Sequence, residues 1–203
     1  MKKILFSLII LLASTTAMAQ KAAEARKILD KTAAVVGYKG GASASFKITS
    51  AKIGSTTGTI AIKGKKFHAR TPQAIVWFDG KTQWSYMKST DEVNIFTPTE
   101  AQQMAMNPYQ FINLYKQGYT LSMTGNDRNF YNIRLVAQNK SRSAQELYIK
   151  VNKKTYTPTQ VRMREGTTWT TIDISNFQAK TQSDATFVFK AKDFPTAEVI
   201  DLR

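Results

Sequence analysis

A period of two runs through this chain from residue 43 almost to its end, with one interruption, and it limits the fold more than any other feature. SASFKITS sets Phe46 and Ile48 against Ser45, Lys47 and Thr49, and GTIAIKG repeats the pattern with Ile60 and Ile62. KFHAR comes next, then two runs on either side of Asp79-Gly80, then EVNIF with Val93 and Ile95. FYNIRLVA alternates Tyr131, Ile133 and Leu135 with Asn132 and Arg134, and ELYIKV, QVRMRE, TIDIS and FVFKA continue the series. In a strand successive side chains point to opposite faces, so each run reads as half-buried β-structure. Roughly ten such runs separated by turn residues specify an antiparallel sheet. A single sheet of that size curls, and its concave side must be covered or occupied.

Two segments are suited to cover it. Over 21–36, Ala25, Ile28, Leu29, Thr32, Val35 and Val36 recur at helical spacing, and Gly37 is placed to end the helix in a left-handed cap. The interruption, TPTEAQQMAMNPYQFINLYKQG, opens on Thr97-Pro98-Thr99-Glu100, a capping box joined to a proline at the first helical position. Asn107-Pro108 restarts it, and Met104, Met106, Phe111, Leu114 and Tyr115 give this kinked helical segment a large apolar surface. The expected class is α+β, mainly β: a curved antiparallel sheet with an N-terminal helix and a mid-chain helical lid.

The hairpin FDGKTQWSYM carries the bulkiest side chains. Asp-Gly favours a two-residue type I′ turn, which would set Phe78 opposite Lys81, Trp77 opposite Thr82 and Ile75 opposite Trp84. A four-residue turn shifts those pairs but keeps the alternation within each strand. Ile75, Trp77, Trp84 and Tyr86 then share one face, either packed as core or free to hold something else.

Residues 1–19 read as a secretory signal peptide: Lys2-Lys3, the apolar run Ile4 to Leu12, and Ala17-Met18-Ala19 as a cleavage site. Residues 20–203 are then the single mature domain. The apolar run is too short for a permanent span, and no cysteine follows the cleavage site to take a lipid anchor. Without Lys2 and Lys3 the net charge falls from +15 to +13. Export argues against nucleic acid as the partner of so basic a chain, which leaves anionic head groups, an acidic partner or a solvated surface. The absence of cysteine excludes disulfides and thiolate metal sites.

Little in the sequence suggests catalysis. The one histidine, His68, sits in a strand between Phe67 and Ala69, and no nucleophile elbow, phosphate-binding loop or zinc-ligand motif is present. Asp91 and Glu92 are adjacent, so in a strand they point apart. The expectation is no enzyme, no cofactor and no metal.

Taken in order, these motifs resemble the outer-membrane lipoprotein carrier proteins of the LolA type. Asp79-Gly80-Lys81-Thr82 with Trp84 and Tyr86 is similar to that family's D-G-K-x-x-W-x-Y hairpin. SFKI, the stretch Gly58 to Lys63, EVNI, NPYQFINL and the closing FVFKAKDFPTAEVIDLR also resemble family elements in the family's order. The likeness runs from about residue 28 to 203.

The resemblance implies an unclosed β-barrel with helices over its mouth, periplasmic and monomeric. It implies transfer of acylated lipoproteins from an inner-membrane exporter to an outer-membrane acceptor, without stable membrane insertion. The same shape would also serve another lipid or amphiphile. The cup would be Phe46, Ile48, Ile60, Ile62, Ile75, Trp77, Trp84, Tyr86, Val93 and Ile95. The lid would be Ile28, Leu29, Met104, Met106, Phe111 and Leu114. Where the family carries an arginine–proline pair that helps hold the lid, this chain has Lys63-Gly64-Lys65-Lys66. Lys63 or Lys65 would take the latch position by bonding to backbone carbonyls, without arginine's rigid fork.

Overall fold

The computed structural model describes residues 2–52, 54–99, 102–103, 113–125 and 127–203, and side chains from Ala19 onward. One helix, α1 (Lys2–Val36), precedes the sheet, so the helix expected at 21–36 begins well before residue 21. Among the described residues, no helix is long and apolar enough to cross a membrane. The strands are β1 (Ala42–Ser50), β2 (Gly54–Lys63), β3 (Lys66–Arg70), β4 (Ala74–Phe78), β5 (Gln83–Met87) and β6 (Glu92–Phe96). After the interruption come β7 (Tyr119–Met123), β8 (Phe130–Ala137), β9 (Glu146–Asn152), β10 (Pro158–Glu165), β11 (Thr168–Ala179) and β12 (Glu198–Asp201).

They form one curved sheet in the order β12-β6-β5-β4-β3-β2-β1-β11-β10-β9-β8-β7, which does not close on itself. Two meanders, β1–β6 and β7–β11, join where β1 pairs antiparallel with β11. The last strand, β12, returns to the far edge and pairs parallel to β6.

The stripe of α1 packs where the periodicity requires. Ala25, Ile28 and Leu29 are buried with Leu121, Ile133, Leu135, Leu147, Ile149, Val151 and Val161 on the inner face of β7–β10. Thr32 is buried too, and its hydroxyl is satisfied by donating to the Ile28 carbonyl at 3.0 Å. At the helix end Val36 joins a smaller cluster with Ala42, Ile62, Phe67 and Phe78. Gly37 does not make the expected left-handed cap: its N–H continues the helical pattern to the Ala33 carbonyl at 2.7 Å. The left-handed residue is Gly41, φ 106°, where a β-carbon would lie 2.5 Å from the Ile62 carbonyl oxygen.

The hairpin has the four-residue turn. Trp77 pairs with Trp84 and Ile75 with Tyr86, and of the turn residues Gly80 takes positive φ while Asp79 does not. The reason is the Asp79 side chain. Its Oδ1 accepts from the N–H groups of Lys81 and Thr82 at 2.8 Å each, an Asx turn that outcompetes the type I′ geometry.

FVFKA is not a strand: Asp184–Phe187 and Ala191–Asp193 are single 3₁₀ turns joined by extended residues. Two strands lacked a clear pattern, β7 because YTLSM is short and β12 because its partner β6 lies far away in the first half of the chain. The mid-chain helical segment opens two residues later than expected. Thr99 and Gln102 form the reciprocal capping bonds, Thr99 N–H to Gln102 Oε1 at 2.8 Å and Gln102 N–H to Thr99 Oγ1 at 3.3 Å. Met104, Met106, Asn107-Pro108 and Phe111 lie outside the described residues. The segment's far end, Leu114–Lys116, is a 3₁₀ turn in which Tyr115 is fully buried and its hydroxyl donates to Asp30 of α1.

Candidate functional site

Between α1 and the middle of the sheet lies a cavity of ≈ 280 Å³. Leu29, Thr32 and Val36 form one side, and Phe46 and Ile48 of β1, Ile60 and Ile62 of β2, and Ile172, Ile174 and Phe177 of β11 form the other. The polar residues along it are Thr32, Ser43, Ser45 and Thr71. Most of the sheet side chains here are only half-buried, because the helix covers them without filling the space beneath it. Gly58 lies beside this wall, where a β-carbon would come within 2.5 Å of the Phe46 ring and 2.4 Å of the Arg70 carbonyl. The tip of the aromatic ring therefore rests against bare backbone.

Four of the expected cup residues, Phe46, Ile48, Ile60 and Ile62, line this cavity. The other six do not. The register carries the inner face from Ile60 and Ile62 to Ala69 and Phe67, then to Val76 and Phe78. Ile75, Trp77, Trp84, Tyr86, Val93 and Ile95 consequently occupy the outer face. Strand β4, AIVWF, is apolar on both faces, so alternation groups its residues without showing which group points inward. Of the expected lid, Leu29 lines the cavity, Ile28 belongs to the core beside it and Leu114 packs against that core.

The outer face is covered by the C-terminal segment, residues 183–197, as a strap. Phe187 is fully buried. Phe189 and Phe194 meet Trp77 edge-on, both at 5.5 Å between ring centroids, and Phe194 lies 4.6 Å from Tyr86. Lys63 does bond to a backbone carbonyl, that of Gln182 at 3.3 Å, and its ammonium also reaches Asp184 at 3.2 Å. Lys66 reaches the same carboxylate at 2.9 Å. Lys63 therefore ties the end of β2 to the strap, and Lys65 lies in the turn between β2 and β3. Hydrogen bonds from Lys66 and then Lys63 hold the Asp184 carboxyl below the usual carboxylate range.

His68 stacks on Trp77 at 5.5 Å with 22° between the planes, and its Nε2 is buried without a hydrogen-bond partner. Burial, then the charge of Arg70, lowers its pKa, so the ring is neutral at pH 7. Among the described residues no cluster of His, Asp or Glu could hold a metal ion.

The β11 residues Ile172, Ile174 and Phe177 were missing from the expected site. TIDISNF shows their alternation, but local sequence does not reveal that β11 lies beside β1.

A single open sheet curved around an apolar cavity under a helix defines a lipid- or lipoprotein-binding carrier fold. The family model for the outer membrane lipoprotein carrier protein LolA matches residues 14–167, and the chain belongs to that family as a divergent member. No curated protein matches the sequence. Among solved structures it is similar to an uncharacterized conserved protein from Thermus thermophilus, at 12% identity and TM-score 0.60, covering 88% of this chain and 99% of that one. LprF from Mycobacterium bovis superposes at 11% identity and TM-score 0.50, covering 80% of this chain and 96% of that one. MucB does so at 10% identity and TM-score 0.51; the match covers 83% of this chain but 64% of MucB. At these identities the likeness is one of fold.

Proposed function

We propose that this protein is an exported carrier whose cavity receives the acyl chains of lipoproteins and shuttles them from the inner to the outer membrane. The observation that carries this reading is the ≈ 280 Å³ apolar cavity between α1 and the sheet, in a chain of the LolA family. At ~0.8 kcal/mol per buried CH₂, a sixteen-carbon chain costs on the order of 10 kcal/mol to expose to water. A carrier must shield that surface and still release it. A cavity whose sheet wall is mostly half-buried meets both needs, since ligand and helix would compete for the same apolar residues. The leader 1–19 sends the chain to the periplasm, residues 20–203 act there as one domain, and Met104, Met106 and Phe111 serve as lid residues. An inner-membrane exporter supplies the cargo and an outer-membrane acceptor with higher affinity removes it. The protein itself needs no covalent step.

The cavity is at the small end of the roughly 300–1,000 Å³ usual for ligand sites. That favours a second reading, a carrier of the same fold for a lipid or amphiphile with fewer chains. Adding the purified protein to spheroplasts tests both. Newly made lipoproteins released in complex with it, and no release by a folded Ile48→Asp variant, support the lipoprotein reading. A folded, lipid-loaded protein that releases none from spheroplasts with an active exporter refutes it, and the extracted lipid then identifies the cargo.

A further inference from the structure

On the opposite side of the sheet, between the outer face of β3–β5 and the strap, is a second and larger cleft of ≈ 550 Å³. Its apolar wall is aromatic, formed by Trp77, Tyr86 and Phe194. Arg70, Lys88 and Lys190 stand around it with one carboxylate, Asp193. The Lys88 ammonium donates to the carbonyl of Thr71, the residue after Arg70, at 3.4 Å. Arg70 and Lys190 are exposed, and neither makes a side-chain hydrogen bond or ion pair among the described residues. His68 also lines the cleft, and its Nε2, a buried polar atom, has no hydrogen-bond partner among the described residues.

We infer that this cleft binds an anionic amphiphile, its phosphate or carboxylate held by Arg70, Lys88 and Lys190 and its apolar stem lying on Trp77, Tyr86 and Phe194. Three cations against one carboxylate select negative charge, and an arginine at the rim offers paired donors to a planar or tetrahedral oxyanion. The aromatic rings select an apolar body over a free inorganic ion. The volume is within the ordinary range for a small-molecule site. An extended peptide is a poorer fit, because β3, β4 and β5 are each paired on both sides and offer no free strand edge to extend. The cleft is separate from the cavity proposed to hold acyl chains, and its occupancy does not depend on that proposal.

The test is calorimetric titration of the purified protein with dihexanoyl phosphatidylglycerol below its micelle concentration. Dihexanoyl phosphatidylcholine and inorganic phosphate are titrated in parallel. Phosphatidylglycerol binds, phosphatidylcholine and phosphate bind more weakly, and the double variant Arg70→Gln/Lys190→Gln raises Kd about tenfold or more. An Ala44→Phe variant, which fills the inner cavity, leaves this binding unchanged. Both substituted cations are exposed and unpaired, so the variant retains its fold, which circular dichroism checks. Equal affinity for the two lipids, equal affinity for phosphate alone, indifference to the double variant or loss of binding in Ala44→Phe each overturns the assignment.

Discussion

Filling the inner cavity separates ligand binding from folding more cleanly than a polar substitution can. Ala44 lies on the cavity wall beside Ile60, outside both buried clusters, so Ala44→Phe places a ring into existing space. A phenylalanine buries about 150–250 Å². If half of that meets the present walls, ~25 cal/mol per Å² gives a gain in stability of about 2 kcal/mol. The same ring takes the room of about five methylenes, and ~0.8 kcal/mol for each amounts to ~4 kcal/mol of lost acyl binding. That is roughly a hundredfold to thousandfold rise in Kd. Displacement of a fluorescent fatty acid measures the second quantity and thermal unfolding the first. The expected result is weaker binding by a protein that melts no lower than the parent. Undiminished binding by a folded, more stable variant would refute the placement of acyl chains in this cavity.

Other outcomes can be measured in the same way. Phe187→Ala removes the fully buried anchor of the strap. By analogy with other buried aromatics it costs about 3–5 kcal/mol, and limited proteolysis should then cut first within 183–197. Gly58→Ala sets a methyl against the Arg70 carbonyl and the Phe46 ring, which should destabilise by about 1–3 kcal/mol and be read in urea midpoints. Glu146 is pushed up by burial, but hydrogen bonds from Arg134, Tyr148 and Arg164 outweigh this and hold its carboxyl below the ordinary glutamate value. Its contribution is therefore present above the unfolded-state pKa and lost as pH falls through the lower folded-state value. Glu146→Gln should flatten the acid limb of the stability–pH curve and cost about 1–3 kcal/mol at neutral pH.

Most of the sheet was legible because half-buried strands announce themselves. Ile133 and Leu135 alternate with Asn132 and Arg134 as one buried face of a strand requires. The stripe Ala25, Ile28, Leu29 and Val36 was equally plain. What local pattern could not supply was the side of the sheet. Trp77 and Tyr86 are large and apolar and do face a shared partner, but that partner is the strap, whose FVFKA was itself mistaken for a strand. Two errors thus had one source: an extended aromatic segment that packs on a sheet reads like one that joins it. The pairing of β1 with β11 was invisible for a different reason, since residues 170–179 reach it only through tertiary assembly. Turn chemistry at Asp79 was decided by a side-chain carboxylate accepting two N–H groups, a local effect stronger than the Asp-Gly preference.

The seam between the two meanders governs how such a chain can assemble. Strands β2–β6 need only neighbours next to them in sequence, and so do β7–β10, so each set can form soon after its residues become available. The union of β1 with β11 joins residues 42–50 to 170–179 and must wait for a long loop to close. The parallel pairing of β12 with β6 waits longer still, for nearly the last residues of the chain. High contact order of this kind makes folding slow. The inner cavity is walled by β1, β2 and β11, and the outer cleft by the strap that leads to β12. Neither cavity exists in a partly emerged chain, so both take shape only once nearly the whole chain has been made.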